Sequence, residues 1–356
     1  MNLGASPGGE VGCYATHQEA CDTAAPPTCV GLGYLGGSAT CIDCTMIDAS
    51  HCQVCEPTVD ACVSLAPGTY IDALASSGSA LLVDRYLFHG NTEVGRSQEV
   101  DAVYGLTGTP NGWLAVIDPS GGSASLVTIA LDGTVGPMLP SDIEMNVTGL
   151  AYAAGLVAVV YRTKLAAKIE ILDPTGAVVV PSQDFGSESN VLYTSAPTTD
   201  GTSFFVGTPG ALMRFGSDGT QTQASGFAPS GGTPFWLGSD GWYVSGVGGG
   251  PKLQVQPFDS TASALGSAFG VTLDGVVYRC TVVGGELVAL VVAGGILELQ
   301  TIDGSGSVGV PVPIAALGQQ NSPSFPLMGS YGSDVAVTWS NFTGTSDSVH
   351  VVIAHP

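Results

Sequence analysis

Nine cysteines carry the most explicit chemistry in this chain, and eight of them fall between Cys13 and Cys62. Cys13, Cys21 and Cys29 come singly; Cys41-x2-Cys44, Cys52-x2-Cys55 and Cys62 follow. Two Cys-x2-Cys pairs could offer four thiolates to zinc, with His17 and His51 nearby in sequence. Only seven residues separate the pairs, fewer than a zinc ribbon uses. An even count in an acidic, Lys-poor chain fits disulfides better, and a stretch with so few aliphatic residues needs cross-links to stay folded. Cys13, Cys21, Cys29, Cys41, Cys44, Cys52, Cys55 and Cys62 are therefore assigned to disulfides, with the connectivity open. The ninth, Cys280, lies in a strand of buried type and reads as an inert core thiol.

Carboxylates are the second resource. Thirty acids against eight Lys and Arg give a net charge of -22. That balance excludes nucleic acid as a partner, because little here can neutralise a run of phosphates. It also argues against docking on anionic lipid. Several acids recur at comparable places: Glu99 and Asp101, Asp142 and Glu144, Asp184 and Glu188, then Asp274. Brought together on one face, the first six would repel one another and could hold calcium or a cationic ligand. The competing reading is ordinary solvated surface charge.

The remaining chemistry is sparse. No nucleophile elbow, phosphate loop or HExxH zinc helix occurs in the sequence. His89 and His355 occupy matching positions in the first and last repeats, which a closed ring would make neighbours. Trp113 and Trp242 each follow a Gly at the start of a second strand, a position that suits packing between sheets. Trp236, beside Phe235 in a first strand, is the candidate for stacking on a sugar or peptide.

These residues are carried by a repeat. Val103-Tyr-Gly-Leu-Thr-Gly108, Trp113-Leu-Ala-Val-Ile117, Ser125-Leu-Val-Thr-Ile-Ala130 and Thr134-Val-Gly-Pro-Met-Leu139 are short β-type runs joined by Pro-Asn-Gly, Gly-Gly and Asp-Gly turns. First strands are expected near Ala61, Val103, Val147, Val191, Pro234, Val277 and Pro326, 42 to 49 residues apart. Third strands are expected to end near His89, Leu131, Leu172, Phe215, Phe258, Ile302 and Ile353. Four strands per unit at this period predict an all-β fold, a β-propeller. The expected number of blades is seven. Six is the alternative, with residues 66–98 used for closure. The first unit is expected to use Ala61–Leu65, Tyr70–Ala75 and Leu81–Phe88 as its first three strands. The last unit has three clear strands, so its fourth should come from the N-terminal side.

Cys29-Val-Gly-Leu-Gly-Tyr-Leu-Gly-Gly-Ser-Ala-Thr-Cys41, followed by Cys44-Thr-Met-Ile-Asp-Ala-Ser-His-Cys52, resembles a short Cys-rich module of bacterial secreted and cell-surface proteins. The resemblance covers about 24 residues. It implies disulfides and an extracellular or periplasmic setting, and no catalytic role. Residues 1–60 are accordingly read as a disulfide-stapled head and residues 61–356 as the propeller. Met1–Gly9 has neither a basic start nor an apolar run, so the expectation is a leader already removed or a start lying upstream. The longest apolar run, Leu287–Leu297, is about half a bilayer span, so no membrane-spanning segment is expected. The functional expectation is a monomeric, non-enzymatic binding or scaffold protein for a protein, peptide or carbohydrate. The alternative is a propeller enzyme, a lyase or glycosidase, with acids at the channel mouth.

Overall fold

Short runs rich in Val, Leu, Ile, Phe and Tyr, broken every few residues by Gly, Asp, Asn or Pro, can do little but form a succession of hairpins. The computed structural model shows this. It describes residues 28–32, 34–42, 46–65, 71–89, 92–96, 103–117, 124–143, 146–187, 194–225, 227, 232–317, 324–342 and 347–356. Within them, seven four-stranded antiparallel sheets follow one another along the chain, preceded by a two-stranded hairpin of Gly36–Ile42 and Met46–Gln53.

In the first six sheets the strands pair in sequence order. The innermost strands are Leu74–Ser77, Val103–Thr109, Asn146–Ala153, Thr198–Thr199, Thr233–Trp236 and Val276–Val283. The seventh sheet joins Ser324–Tyr331, Asp334–Phe342 and Asp347–Ala354 to a fourth strand, Ala61–Leu65, from the other end of the chain. Cys62 sits opposite Val352 and Leu65 opposite Val349. Each innermost strand touches those of the sheets on either side, and the last touches the first, so the contacts run in a closed cycle.

The apolar residues lie between sheets. Trp113 and Ile117 pack with Leu82 and Leu87 between the first and second sheets, and Trp113 Nε1 donates to the Ala75 carbonyl across that interface at 2.9 Å. Trp339 packs with Leu290 and Leu299 between the sixth and seventh, and Ala336 and Val351 with Leu81 and Phe88 between the seventh and the first. Second strands must be apolar on both faces to serve two such interfaces, and Gly112–Ile117, Phe204–Thr208 and Gly241–Ser245 are buried throughout. Cutting one of these fully buried Trp side chains to Ala would cost roughly 3–5 kcal/mol.

Three strand assignments change. Tyr70–Ala75, expected as the first unit's second strand, gives way to the innermost strand Leu74–Ser77. Ala61–Leu65 belongs to the seventh sheet and not to the first unit. Leu81–Phe88 is not one strand but two, Ala80–Val83 and Tyr86–His89, folded back at Asp84-Arg85. Asp84 takes a φ of 54° there, a conformation Asp tolerates, so the hairpin needs no glycine. Residues 74–96, held in reserve for closure in the six-blade reading, form a complete sheet of their own. The expected first strand near Val191 lies outside the described residues; the fourth sheet's innermost strand is Thr198–Thr199. The third-strand ends fall where the sequence placed them, within a residue or two in all seven sheets.

The turns after those third strands explain the recurring Asp. Asp132, Asp173, Asp218, Asp259 and Asp303 each accept a backbone N–H from the Thr or Ser two residues on, at 2.8–2.9 Å. The hydroxyls of Thr175, Thr220, Thr261 and Ser305 bond the same carboxylates and, ahead of the backbone bonds, hold Asp173, Asp218, Asp259 and Asp303 below their ordinary range; at Asp132 the Thr134 backbone bond leads. The five Asp are turn-forming residues, as an Asx turn requires.

Among the described cysteines, Cys29 is bonded to Cys52 and Cys55 to Cys62, and Cys41 is also in a disulfide. Cys13, Cys21 and Cys44 lie outside the described residues. The segment between the hairpin and Ala61 runs along the sixth sheet: Ala316 N–H donates to the Val54 carbonyl and Glu56 N–H to the Ile314 carbonyl, at 2.8 and 2.9 Å. No helix among the described residues is long and apolar enough to cross a membrane.

Candidate ligand-binding channel

The seven innermost strands surround a channel of about 770 Å³. Small residues let the strands come this close. Gly108 faces the Ser76 backbone and Gly329 faces the Leu74 side chain, and a Cβ at either place would collide. Counting back from the hairpin turns, Leu74, Leu106, Leu150, Cys280 and Met328 occupy one level and give the channel an apolar waist. Two residues nearer the turns, Ser76, Tyr152, Phe235, Val282 and Ser330 make the next level, since side chains on one face recur every second residue.

Trp236 lines the channel, and it also packs. Its ring stacks on Phe205 at 5.5 Å and meets Phe258 edge-on at 5.8 Å, while Nε1 donates to the Gly238 carbonyl at 2.7 Å. The indole is thus fixed in orientation while keeping partial exposure.

Sequence reasoning passed over Arg279. Four innermost strands carry a bulge at the same distance from their hairpin turn, between Val103 and Gly105, Val147 and Gly149, Val277 and Arg279, and Ser324 and Leu327. Arg279 therefore stands where two other repeats have Gly. A bulge redirects the side chain that follows it, and Arg279 is the one basic residue among those lining the channel. Its Nε donates to the Pro326 carbonyl on the neighbouring strand at 2.9 Å. Burial pulls its pKa down from the ordinary Arg value. The repeat was legible: Val103-Tyr-Gly-Leu, Val147-Thr-Gly-Leu and Val277-Tyr-Arg-Cys align at sight.

Cys280 borders the same channel as a free thiol, and burial pushes its pKa up to about 12, so it stays protonated. Its sequence reading as an inert thiol agrees with that shift, although it lines the channel instead of sitting wholly in the core. The two matched histidines do not meet: His89 Nε2 bonds with the Leu131 carbonyl at 3.1 Å, and His355 Nδ1 with Asp334 at 3.0 Å.

Of the six acids assigned to a cation-binding face, Glu99, Asp101, Glu144 and Glu188 lie outside the described residues. Asp184 lies within the strand Val178–Ser187 and is paired with Lys168 at 3.3 Å. Asp142 is exposed and stands near Glu170, whose carboxyl is raised first by its burial and then by the charge of Asp142. Among the described residues no three His, Cys, Asp or Glu side chains gather into a metal-holding group.

No family model and no curated protein matches the sequence. Solved structures do resemble it. KlHsv2 with loop 6CD replaced by a Gly-Ser linker aligns over 76% of this chain and 89% of its own, at 11% identity and a TM-score of 0.51. Kluyvelomyces marxianus Hsv2 aligns over 77% and 90%, at 9% identity and a TM-score of 0.50. The AfRom2 CNH domain aligns over 82% and 98%, at 10% identity and a TM-score of 0.50. At such identities the likeness is one of fold, and the fold is a β-propeller.

Proposed function

We infer that this chain is a non-enzymatic extracellular or bacterial cell-surface binding protein, a seven-bladed β-propeller behind a small disulfide-rich head, and that it holds its ligand in the channel. The channel is the observation that carries the reading: about 770 Å³, bordered by every innermost strand, with Trp236 held in a fixed orientation at its wall. That volume falls in the range of small-molecule and peptide-side-chain sites. Seven blades are supported by seven four-stranded sheets in a closed cycle, the last completed by Ala61–Leu65. Disulfides in the N-terminal region support an oxidising compartment. Residues 1–60 are the head and 61–356 the propeller in this reading.

The test is a carbohydrate and peptide array probed with the whole unreduced chain and with Trp236→Ala. Specific signals that the substitution removes are expected. Signals that Trp236→Ala leaves unchanged would move the site out of the channel, and turnover of a bound compound would make the protein an enzyme.

A second proposal concerns the acids at the sheet junctions, as a face for calcium or a cationic ligand. It is supported by the Asp142–Glu170 repulsion, which a cation would relieve. Calorimetric titration with calcium should give heat and a raised melting temperature, both weakened in Glu170→Gln. No heat and no shift at millimolar calcium would leave these residues as surface charge.

A further inference from the structure

The geometry points to the channel as a site for a small organic carboxylate, its carboxyl gripped by Arg279 and its apolar or aromatic body lodged against the apolar waist and Trp236. The inference rests on the binding-protein reading and names the ligand class.

Arg279 is out of place for a structural residue. It stands at a bulge where two other repeats have Gly and the seventh sheet has Leu327, so the charge there belongs to the sixth sheet alone. The chain has 30 acids against 8 basic residues; Arg85 and Arg214 also lack an ion pair among the described residues, and Arg279 is the one of the three that lines the channel. No acid among the described residues pairs with it. The acid that borders the channel, Asp72, is exposed and forms no ion pair with it. Arg279 is exposed within the channel, so its guanidinium is open to an anionic ligand as counter-ion.

The grip is preorganised. The Nε bond to Pro326 orients the guanidinium, and no described acceptor engages its terminal amines. Those amines form a planar fork that fits a carboxylate's two oxygens. Thr148 also lines the channel, and its hydroxyl is buried without a hydrogen-bond partner among the described residues. Among hydroxyl side chains such as Ser76, Thr198 and Thr281, the wall also offers an apolar and aromatic surface of Leu106, Leu150, Met328, Phe235 and Trp236. Bare phosphate or sulfate would leave that wall unused, whereas an acid with a hydrocarbon or ring body would cover it. The net charge of -22 repels an approaching anion, but salt screens that repulsion beyond roughly 8 Å at physiological strength. At contact the local fork prevails.

Calorimetry and tryptophan fluorescence of the whole unreduced chain at physiological ionic strength test this. The probes are acetate, phenylacetate, indole-3-acetate and the neutral phenylacetamide. Saturable binding is expected for the two aryl acids, tighter than for acetate, with the amide weaker by about tenfold or more. Arg279→Gln should lose about as much affinity for phenylacetate as replacing the acid by the amide does. Arg279→Lys should recover part of it, with melting temperatures confirming that both variants fold. An amide that binds as well as its acid would overturn the proposal. So would a folded Arg279→Gln that binds phenylacetate like the parent, or the failure of every acid to saturate at millimolar concentration. If Arg279→Gln does not fold, the acid–amide comparison on the unchanged chain still decides. Failure of the acids beside intact array binding overturns Arg279's role alone; turnover of a bound acid overturns the non-enzymatic reading and leaves the Arg279 contact standing.

Discussion

The Ser64 hydroxyl and His350 Nδ1 lie 3.0 Å apart across 286 residues of chain. Their bond joins the N-terminal strand of the seventh sheet to that sheet's third strand, beside the backbone pairing of Ser64 with His350. His350 is itself buried against the Trp339 ring, 5.2 Å between centroids, and its Nε2 has no partner among the described residues.

Acid should loosen this junction. Burial holds the His350 pKa down at about 4, against an ordinary 6.5. A histidine depressed in the folded state contributes stability that is complete above pH 6.5 and is lost as pH falls through about 4. Denaturant melts between those values should show a loss on the order of 2 kcal/mol that His350→Phe removes. Equal slopes in both proteins would place the acid sensitivity elsewhere.

Asp84 should act in the opposite sense. Its pKa is raised to about 7, by burial first and then by the nearby charge of Asp72. The folded chain binds this proton more tightly than the unfolded one, so stability from this group is full below about pH 3.8 and falls as pH rises through 7. Asp84→Asn keeps the acceptor oxygen and tolerates the positive φ of 54°. It should raise stability by about 1–3 kcal/mol at pH near 8 and by much less near pH 4. A gain independent of pH would contradict this assignment.

Removing the exchanged strand should open the ring. A chain beginning at residue 66 lacks Ala61–Leu65 and leaves the Asp347–Ala354 strand as a bare edge. Aggregation and loss of a single cooperative transition are expected by light scattering and calorimetry. A truncated chain that melts like the parent would mean that the seventh sheet closes without it.

The Cys55–Cys62 disulfide should strengthen the same closure, since Cys55 bridges to Ala315 of the sixth sheet while Cys62 lies in the exchanged strand. For a separation of 7 residues, replacing both with Ser should cost about 2 kcal/mol. The placement of Cys62 in the seventh sheet carries the effect of reduction into the ring. A double variant with the parent's melting temperature would limit this disulfide to local order.

Much of the fold could be read before any coordinates. The Asp that follows each of five third strands marked the repeat, because its carboxylate makes the turn. The donor of the seventh sheet's fourth strand was legible as a deficit, three strands where four were needed. Its identity was not, because Ala61–Leu65 looks like any first strand until its partner 286 residues away is known. The turn at Asp84-Arg85 was missed because it carries neither Gly nor Pro between two apolar runs. At the site, Trp236 was visible as an aromatic in a first strand. Arg279 was hidden because its meaning lies in a comparison between repeats, a charge at a bulge that elsewhere holds Gly or Leu.

Cys280 offers the most direct test of the channel as the binding site, because it borders the channel beside Arg279 and is a free thiol. Its alkylation by excess small maleimide at mildly alkaline pH, slow because a pKa of about 12 leaves only a small thiolate fraction, can be followed over hours by intact mass, with and without saturating phenylacetate. A channel that holds the acid predicts that phenylacetate slows alkylation severalfold and that phenylacetamide at the same concentration does not. Alkylation at the same rate with and without bound phenylacetate would contradict it.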